Sequence, residues 1–175
     1  MKSNYLSWSQ LNALEKGTYI DAYIHGKKFE NEAMRFGKRF AEAIEMGIET
    51  GDPLIDFGVL FLPRYQHHEY KIEVDGLLGY FDGFNEPNLI GEFKTGKTGW
   101  TEKKVKKGQL LFYALMVFKK FGVIPKAELH HLNNDMEIHT VRVKFTKKEL
   151  QEMEKRIKKA LLLKNEIHGL YEEVC

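Results

Sequence analysis

The sequence predicts an α/β protein in which a group of strands lies between helical segments. From about residue 69, the apolar side chains of Tyr70, Ile72 and Val74 alternate with charged ones, as in a strand with one buried face, and two further strand-like stretches follow up to residue 95. Before residue 50, over residues 103–121 and after residue 146, apolar residues instead recur at helical spacing. A chain of 175 residues is predicted to form a single domain, residues 1–175.

The N-terminal part of the chain is predicted to be helical. Ser7 and Gln10 fit a capping box that begins a short first helix, and a second helical stretch runs through Ile24. Residues 30–47 carry an apolar stripe that predicts a longer helix. Residues 54–67 show neither period, and we expect an irregular connection there.

Three strands are predicted next, joined by short turns. The first begins near Glu69, and Asp75-Gly76 after it is typical of a hairpin turn. Residues 78–84 and 89–95 form the second and third strands, with a turn at residues 85–88 between them. If the second and third strands pair as a hairpin, polar side chains from both converge on one point.

The C-terminal half begins with a helix over residues 103–121, whose apolar residues surround it almost completely. Such a helix is buried on more than one side. Residues 127–132 and 138–145 predict two further strands. A final helix starts with a capping box at Thr146 and runs to about His168.

The predicted hairpin carries the residues with the clearest chemical potential. Asp82 lies on one strand and Glu92 on the next, while Lys94 shares the face of Glu92 because side chains alternate along a strand. Two carboxylates about 4 Å apart repel by roughly 4 kcal/mol at an effective dielectric constant of 20. The pair therefore needs compensation, either from Lys94 in a plain surface ion-pair cluster or from a divalent cation, for which carboxylates are suitable ligands.

The pattern Asp82-x9-Glu92-Phe93-Lys94 resembles the PD-(D/E)XK motif of the restriction-endonuclease-like nucleases. The resemblance implies that Asp82, Glu92 and the carbonyl of Phe93 hold Mg²⁺ or Mn²⁺. It also implies that Lys94 positions the attacking water or stabilises developing charge. The implied activity is metal-dependent hydrolysis of DNA phosphodiesters.

Flanking motifs resemble the RecB-type and phage-exonuclease-type branch of that superfamily. Gln109-x3-Tyr113 is similar to the branch's Gln-x3-Tyr helix motif, and residues 7–11 are similar to its Ser-x-Ser-x-Leu helix start. The resemblance extends from about residue 5 to residue 145. It implies a restriction-endonuclease-like αβββαβ core with a mixed central sheet flanked by helices. It also implies exonuclease action, with Gln109 and Tyr113 facing the active site and contacting the DNA strand.

One position departs from the family pattern. Many relatives have a histidine or glutamate four residues after a glycine in the helix before the sheet, as an additional metal ligand. Four residues after Gly37 stands Ala41, and Glu42 follows one place late. We take Glu42 as the candidate additional ligand, and Glu45, one turn beyond Ala41, is the alternative.

Other ionisable residues are predicted to be surface groups. RecB-type relatives often have a glutamate on the first predicted strand, and the resemblance leaves open whether Glu69 or Glu73 corresponds to it. Both, however, share one strand face with Lys71, which predicts a solvated face. The adjacent pairs His67-His68 and His130-His131 point to opposite faces of a strand. Neither pair can therefore chelate a metal, and we expect both to be exposed.

Positive charge is local, since the net charge is only +2. Lysines cluster after the motif, and the candidate nucleic-acid-binding residues are Lys97, Trp100, Lys103, Lys104 and Lys107. They fit either a solvated surface or a phosphate-binding rim. Trp100 either stacks on a base or pins its loop.

DNA is the predicted partner, and the resemblance leaves open a homo-oligomer or a helicase or recombination partner in DNA repair. The chain shows no long apolar run or signal peptide, which predicts a cytoplasmic protein without a membrane partner. Cys175 is the sole cysteine, which excludes an intrachain disulfide and a four-cysteine iron–sulfur cluster within one chain.

Two alternatives remain for the function. Gly91-x4-Gly96-Lys97-Thr98 matches the P-loop pattern, which would indicate a nucleotide-binding protein. A P-loop, however, must leave a strand at its first glycine and open a helix at Lys-Thr. The other alternative is a catalytically inactive nucleic-acid-binding protein on the nuclease fold, supported by Ala41.

Overall fold

The computed structural model describes residues 5–27, 31–97 and 99–172, so Thr98 and Cys175 lie outside the described residues. The helices are α1 (Trp8–Glu15), α2 (Glu32–Met46), α3 (Pro53–Phe61), α4 (Glu102–Val105), α5 (Gln109–Phe121) and α6 (Lys147–Glu172), with a π-helical turn at Ile20–Ile24. The strands are β1 (Leu6–Ser7), β2 (His67–Val74), β3 (Leu77–Asn85), β4 (Leu89–Thr95), β5 (Lys126–Leu132) and β6 (Ile138–Lys144).

The strands form one mixed sheet. β2 pairs along one edge of β3, whereas β1 and β4 pair with the opposite edge, β1 at the start of β3 and β4 at its end. β5 pairs with β4, and β6 pairs with β5. β2 and β3 pair antiparallel through a turn at Asp75 and Gly76, whose positive φ angles of 48° and 72° fit the predicted hairpin. β4 and β5 pair parallel, and β5 and β6 antiparallel. The two residues of β1, Leu6 and Ser7, pair parallel with Leu77 and Leu78 at the start of β3.

Helices cover both faces of the sheet. The larger core contains buried residues of α1, α5 and α6, and the smaller one contains buried residues of α2 and α3. Every residue of α5 from Leu110 to Val117 is buried, because α5 lies between the sheet and α6. The predicted fold class, a mixed sheet flanked by helices, is confirmed. Within the described ranges, no helix is long and apolar enough to span a membrane.

Two parts of the secondary structure differ from the prediction. The expected irregular connection after residue 53 is wrong, because α3 forms there, with Asp52 accepting a hydrogen bond from the Leu54 N–H at 3.2 Å. Gly58 lets α3 approach α2 closely, since a Cβ at this position would lie 2.6 Å from the Phe40 ring. The single helix predicted over residues 103–121 is two helices, α4 and α5.

Candidate active site

The candidate site lies where β3 and β4 separate. The two strands pair at Gly83–Gly91, Phe84–Ile90 and Asn85–Leu89. One residue beyond the Gly83–Gly91 pair, the Oδ2 atom of Asp82 accepts a hydrogen bond of 2.8 Å from the Phe93 N–H. The N–H and C=O of one strand residue point to the same side, so the Phe93 carbonyl also faces the gap that Asp82 borders. The fork thus brings Asp82, Glu92 and the Phe93 backbone together.

The regular alternation of side chains between the two faces of the sheet is interrupted in both β2 and β3. This interruption explains why the Asp82 side chain reaches the gap between β3 and β4. On β3, Phe81 and Phe84 both belong to the larger core, although regular alternation would place them on opposite faces. On β2, the His68 ring contacts Phe93 in the smaller core, whereas Tyr70 contacts Phe81 in the larger one.

The break falls at the pair formed by Glu69 and Asp82, which stand opposite each other because His68 pairs with Gly83 and Tyr70 with Phe81. Glu69 has φ 47°, a left-handed conformation that is rare for a residue other than glycine. Such strain concentrates at functional sites. The prediction that Glu69 lies with Glu73 on one solvated face is therefore wrong, because the alternation on which it relied stops at Glu69.

Glu92 is the most deeply buried acid of the site, with 1% of its surface exposed. Its Oε1 atom accepts a hydrogen bond from the Lys94 ammonium group. Its Oε2 atom has no hydrogen-bond partner among the residues that the structure describes. Burial raises the pKa of Glu92 to about 8, and the negative charge of Asp82 adds to the rise. Burial likewise raises the pKa of Asp82.

A chain of polar contacts leads from Glu92 onto α5. Beyond its contact with Glu92, the Lys94 ammonium group lies 3.5 Å from Gln109 Oε1, and Gln109 Nε2 donates to the Tyr113 hydroxyl at 2.8 Å. Gln109 and Tyr113 are one helical turn apart, so they share a face of α5. Tyr113 is 5% exposed and packs against Gly79, where a Cβ would lie 2.8 Å from its ring. The structure therefore brings all five predicted catalytic residues together.

An acidic cleft of about 280 Å³ opens between the fork and α2. Its acidic lining residues are Glu45, Glu69 and Asp82, and Lys94 also borders it. Burial raises the pKa of Glu69, and the charges of Asp82 and Glu45 raise it further. Glu69 therefore experiences the negative charges of both Asp82 and Glu45, and a cation in the cleft would relieve this repulsion.

The structure does not bring Glu42, the candidate additional ligand, into this cleft. Gly37, Ala41 and Glu45 line the cleft at intervals of four residues, which places them on one stripe of α2. Glu42 is one residue further round the helix, and its half-exposed side chain lies 4.0 Å from Lys38. Geometry thus favours Glu45, the alternative, together with Glu69.

The candidate nucleic-acid-binding residues surround the loop that leads from β4 to α4, but they face different clefts. Trp100 and Lys104 border a groove beside Lys94, and the Lys104 ammonium group lies 4.4 Å from the centre of the Trp100 ring. Lys103 and Lys107 border a larger cleft of about 880 Å³ between α4 and α6. Lys97 borders a third cleft, next to His131.

Sequence reasoning missed a polar network centred on the buried Tyr65 and His130, which lie on the same side of the sheet as the Phe93 ring. The Tyr65 hydroxyl lies 2.7 Å from His130 Nε2, and His130 Nδ1 lies 2.9 Å from the Thr140 hydroxyl. Glu128 lies 3.4 Å from the same Tyr65 hydroxyl and accepts from Arg142 at 2.8 Å.

The Tyr65 ring covers the paired Gly83 and Gly91, where a Cβ would lie 2.3 and 2.2 Å from it. The two glycines were the sequence signal for this close approach. The prediction that His130 and His131 are exposed is wrong, since both are at most 4% exposed because β5 is central in the sheet.

The segment from Gly91 to Lys97 does not have P-loop geometry. Gly91 is inside β4 and covered by Tyr65, so its backbone is not available to surround a phosphate. The next helix, α4, begins only at Glu102. A P-loop instead requires a helix that opens at the Lys-Thr pair.

The donor set for a cation is a pair of carboxylates supplemented by the main chain. No group of three or more histidine, cysteine, aspartate or glutamate side chains that could hold a metal ion occurs in the described part of the chain. Asp82, Glu92 and the Phe93 carbonyl offer hard oxygen donors, which suit Mg²⁺ or Mn²⁺. The buried Glu92 Oε2 without a partner is the observation that fits a bound cation.

Comparisons with solved structures identify the fold. The chain superposes on an exonuclease-designated protein from Eubacterium rectale with a TM-score of 0.67 at 13% identity, over 93% of this chain and 82% of the other. An alkaline exonuclease from Laribacter hongkongensis, also solved with dAMP, gives 0.60 at 14% identity, over 98% and 93%. A phage-related exonuclease from Haemophilus somnus gives 0.62 at 12% identity, over 92% and 83%.

In comparisons by sequence, no family model and no curated protein matches the chain. Identities of 12–14% leave the fold as the shared property. The order of elements, the fork in the sheet and these superpositions agree. The chain has the fold of the PD-(D/E)XK, restriction-endonuclease-like nucleases.

Proposed function

We propose that this protein is a divalent-metal-dependent deoxyribonuclease that acts as an exonuclease. The observation that carries the proposal is the buried Glu92 beside Asp82 and Lys94, with one carboxylate oxygen lacking a partner in the described structure. A buried carboxylate without full compensation is costly for stability. Its presence at a fork in the sheet therefore indicates a functional site.

Asp82, Glu92 and the Phe93 carbonyl would hold Mg²⁺ or Mn²⁺, with Glu45 and Glu69 at the far side of the acidic cleft. When bound, such a cation polarises a phosphodiester and lowers the pKa of an attacking water. The Phe93 N–H fixes the Asp82 carboxylate through its 2.8 Å hydrogen bond. This leaves Oδ1 of Asp82 and Oε2 of Glu92 available as ligands.

Lys94 would orient the attacking water or stabilise the charge that develops on the phosphate. Its side chain is 33% exposed, so the ammonium group reaches solvent while it contacts Glu92. Gln109 holds the other side of this ammonium group, and Tyr113 fixes Gln109. These contacts restrict the lysine to the centre of the site.

DNA would approach along the lysines that follow the motif. Lys97, Lys103, Lys104 and Lys107 would provide phosphate contacts around the segment that follows β4, without a large net charge on the molecule. The three exonuclease-designated neighbours support DNA as the substrate, and the dAMP complex of one of them supports a nucleotide product.

The test is a cleavage assay on end-labelled DNA with Mg²⁺ or Mn²⁺, and with EDTA as the metal-free control. We expect Glu92→Gln and Lys94→Ala to abolish cleavage, while DNA binding by Lys94→Ala largely survives. Lys97→Ala serves as the matched control, because Lys97 lies beyond the strand and should retain cleavage at low salt. Cleavage that persists undiminished in Glu92→Gln, with contamination excluded, would refute the proposed site.

A second pair of variants separates the two candidate additional ligands. Glu45→Gln should reduce cleavage at limiting metal concentration, whereas Glu42→Gln on the outer face of α2 should not. The same preparations should be assayed for ATP hydrolysis. ATP turnover that is lost in Lys97→Ala and kept in Lys94→Ala would instead establish a nucleotide-binding protein, and DNA binding without any cleavage would establish the inactive alternative.

A further inference from the structure

A groove on the α1 side of Lys94 mirrors the acidic cleft. It encloses about 280 Å³, and Glu92, Lys94 and Gln109 form its inner end. Lys94 borders both the groove and the acidic cleft. If the scissile phosphate of a DNA strand lies at Lys94, the DNA therefore has one cleft on each side of that phosphate.

One wall of the groove is a stripe of α1. Trp8, Asn12 and Lys16 line the groove and recur at intervals of four residues, so they share one helix face. The opposite side of α1, with Leu11 and Leu14, is buried in the larger core. The helix thus presents an indole, an amide and an ammonium group to the groove, in order along its axis.

The outer wall contains Trp100 and Lys104. Cations lie beside both indoles, with the Lys104 ammonium group 4.4 Å from the Trp100 ring centre and the Arg156 guanidinium group 6.0 Å from that of Trp8. Both indoles are only partly buried. Two aromatic side chains beside positive charge are the combination with which proteins bind single-stranded nucleic acids, through base stacking and phosphate contacts.

The polar groups of the groove fit a nucleotide better than they fit a purely apolar ligand. Lys16, Lys94 and Lys104 outnumber the one acid, Glu92. The side-chain amides of Asn12 and Gln109 can each donate and accept hydrogen bonds. A base with its phosphate offers a π-face, polar edges and negative charge to match all three features.

We propose that this groove, the tryptophan groove, is a nucleotide subsite that receives one unpaired base next to the scissile phosphate. The proposal rests on the proposed nuclease function and specifies its substrate class. A base inside a duplex has both faces covered by its neighbours, so it reaches an indole only after leaving the stack. The preferred substrate is therefore a DNA single strand or an end whose terminal base is unpaired.

The chain offers a direct probe, because its only two tryptophans both line this groove. Wild-type protein in EDTA should be titrated with a 5′-phosphorylated tetrathymidylate and, separately, with a blunt-ended DNA hairpin, while tryptophan fluorescence is followed. We expect saturable quenching by the tetrathymidylate and affinity at least about tenfold weaker for the hairpin. Equal affinity and equal quenching by the hairpin would overturn the proposal.

Variants at Trp100 locate the effect. Trp100→Ala should weaken tetrathymidylate binding about tenfold or more, measured by anisotropy of a labelled strand, and Trp100→Phe should restore most of it because stacking needs only an aromatic face. Trp100→Leu keeps apolar packing without stacking, so it serves if the alanine variant is unstable. Phe61→Ala, which removes an exposed aromatic side chain on α3 outside the groove, is the control. Unchanged binding by folded Trp100→Leu would refute the subsite.

The binding experiment and the cleavage experiment fail independently. The titrations contain no metal and need no turnover, so cleavage with Mg²⁺ but no selective quenching would overturn the subsite and leave the nuclease proposal standing. Selective quenching without cleavage under any metal condition would support the subsite and overturn the nuclease proposal.

Discussion

Polar groups are buried on both faces of β4 and β5, but the two clusters are built differently. On one face, Tyr65, His130, Glu128, Thr140 and Arg142 form a network in which each member has a hydrogen-bond partner. At the fork, Glu92 on the other face lies beside Asp82, which borders the cleft toward α2, and one Glu92 oxygen has no partner among the described residues. A satisfied network supports a unique packing, whereas an unsatisfied pair of acids lowers stability. The difference separates a structural cluster from a candidate functional one.

The largest expected effect comes from one conservative substitution in each cluster, Asp82→Asn and Tyr65→Phe. Asp82→Asn keeps an acceptor for the Phe93 N–H and removes a buried acid whose charge raises the pKa of Glu92. Cleavage should fall on the order of 10³-fold or more, while the metal-free protein melts at the same or a higher temperature. Tyr65→Phe should show the reverse, with cleavage kept and about 1–3 kcal/mol of stability lost, because His130 loses a partner. Cleavage assays and thermal melts in EDTA measure both, and a stability loss in Asp82→Asn equal to that in Tyr65→Phe would contradict the comparison.

The next effect arises where the two clusters meet at the backbone. Gly91→Ala places a Cβ 2.2 Å from the Tyr65 ring, so β4 or the ring must move. Overpacking of this kind costs about 1–3 kcal/mol or more, and a displaced β4 also carries Glu92 and Lys94 out of position. Both stability and cleavage should therefore fall.

Gly99→Ala is the matched control for this substitution. No atom of the described residues lies within 4 Å of a Cβ built on Gly99. Urea unfolding and cleavage rates provide the measurement. A Gly91→Ala protein as stable and active as Gly99→Ala would show that Tyr65 does not fix the strand.

The contributions of the two clusters to the free energy of unfolding should change in opposite directions as pH changes. The pKa of Glu92 is raised from 4.5 to about 8, so between these values the folded protein holds a proton that the unfolded chain has lost. Stability in EDTA should then decrease as pH rises through this window, by up to about 1.4 kcal/mol per pH unit. Burial instead lowers the pKa of His130 below 6.5. The unfolded chain gains that proton first, so its contribution to stability is lost as pH falls below 6.5.

Urea unfolding from pH 5 to pH 9 separates the two contributions. Glu92→Gln should be more stable than the wild type at pH 9 and nearly equal to it at pH 5, because glutamine resembles the protonated acid. His130→Gln should reduce the loss of stability on the acidic side while the alkaline side stays as in the wild type. A constant difference between Glu92→Gln and the wild type across this range would contradict the raised pKa.

The smallest expected effect concerns the link from Lys94 to α5. Gln109→Ala removes the groups that contact Lys94 and Tyr113, and we expect about a tenfold loss of cleavage. The melting temperature should change little, since Gln109 is only partly buried. Tyr113→Phe should be milder, because it keeps the packed ring. A Gln109→Ala protein that loses stability but keeps its cleavage rate would show that Gln109 has a packing role.

Local sequence patterns predicted the fold class and the convergence of Asp82, Glu92 and Lys94, and the family resemblance added Gln109 and Tyr113 to the candidate site. Strand-like and helical patterns are local signals, and local signals are what periodicity reports. Asp82, Glu92 and Lys94 could be placed together because a short turn leaves two neighbouring strands little choice but to pair. The i, i+4 spacing of Gln109 and Tyr113 placed them on one face of a helix without any further knowledge.

Features that depend on contacts between residues distant in sequence are visible only in the folded chain. Glu69 enters the site because β2 and β3 break their alternation at the same pair, and no pattern within either strand shows this. Glu45, and not Glu42, lines the acidic cleft because the rotation of α2 about its axis is set by its packing against α3 and the sheet. Trp8 and Trp100, 92 positions apart, line the same groove beside Lys94, where the Trp8 ring lies 6.2 Å from that of Phe112 on α5. The spacing of residues along one helix or strand determines which side chains share a face of it. The packing between elements determines which other residues that face contacts.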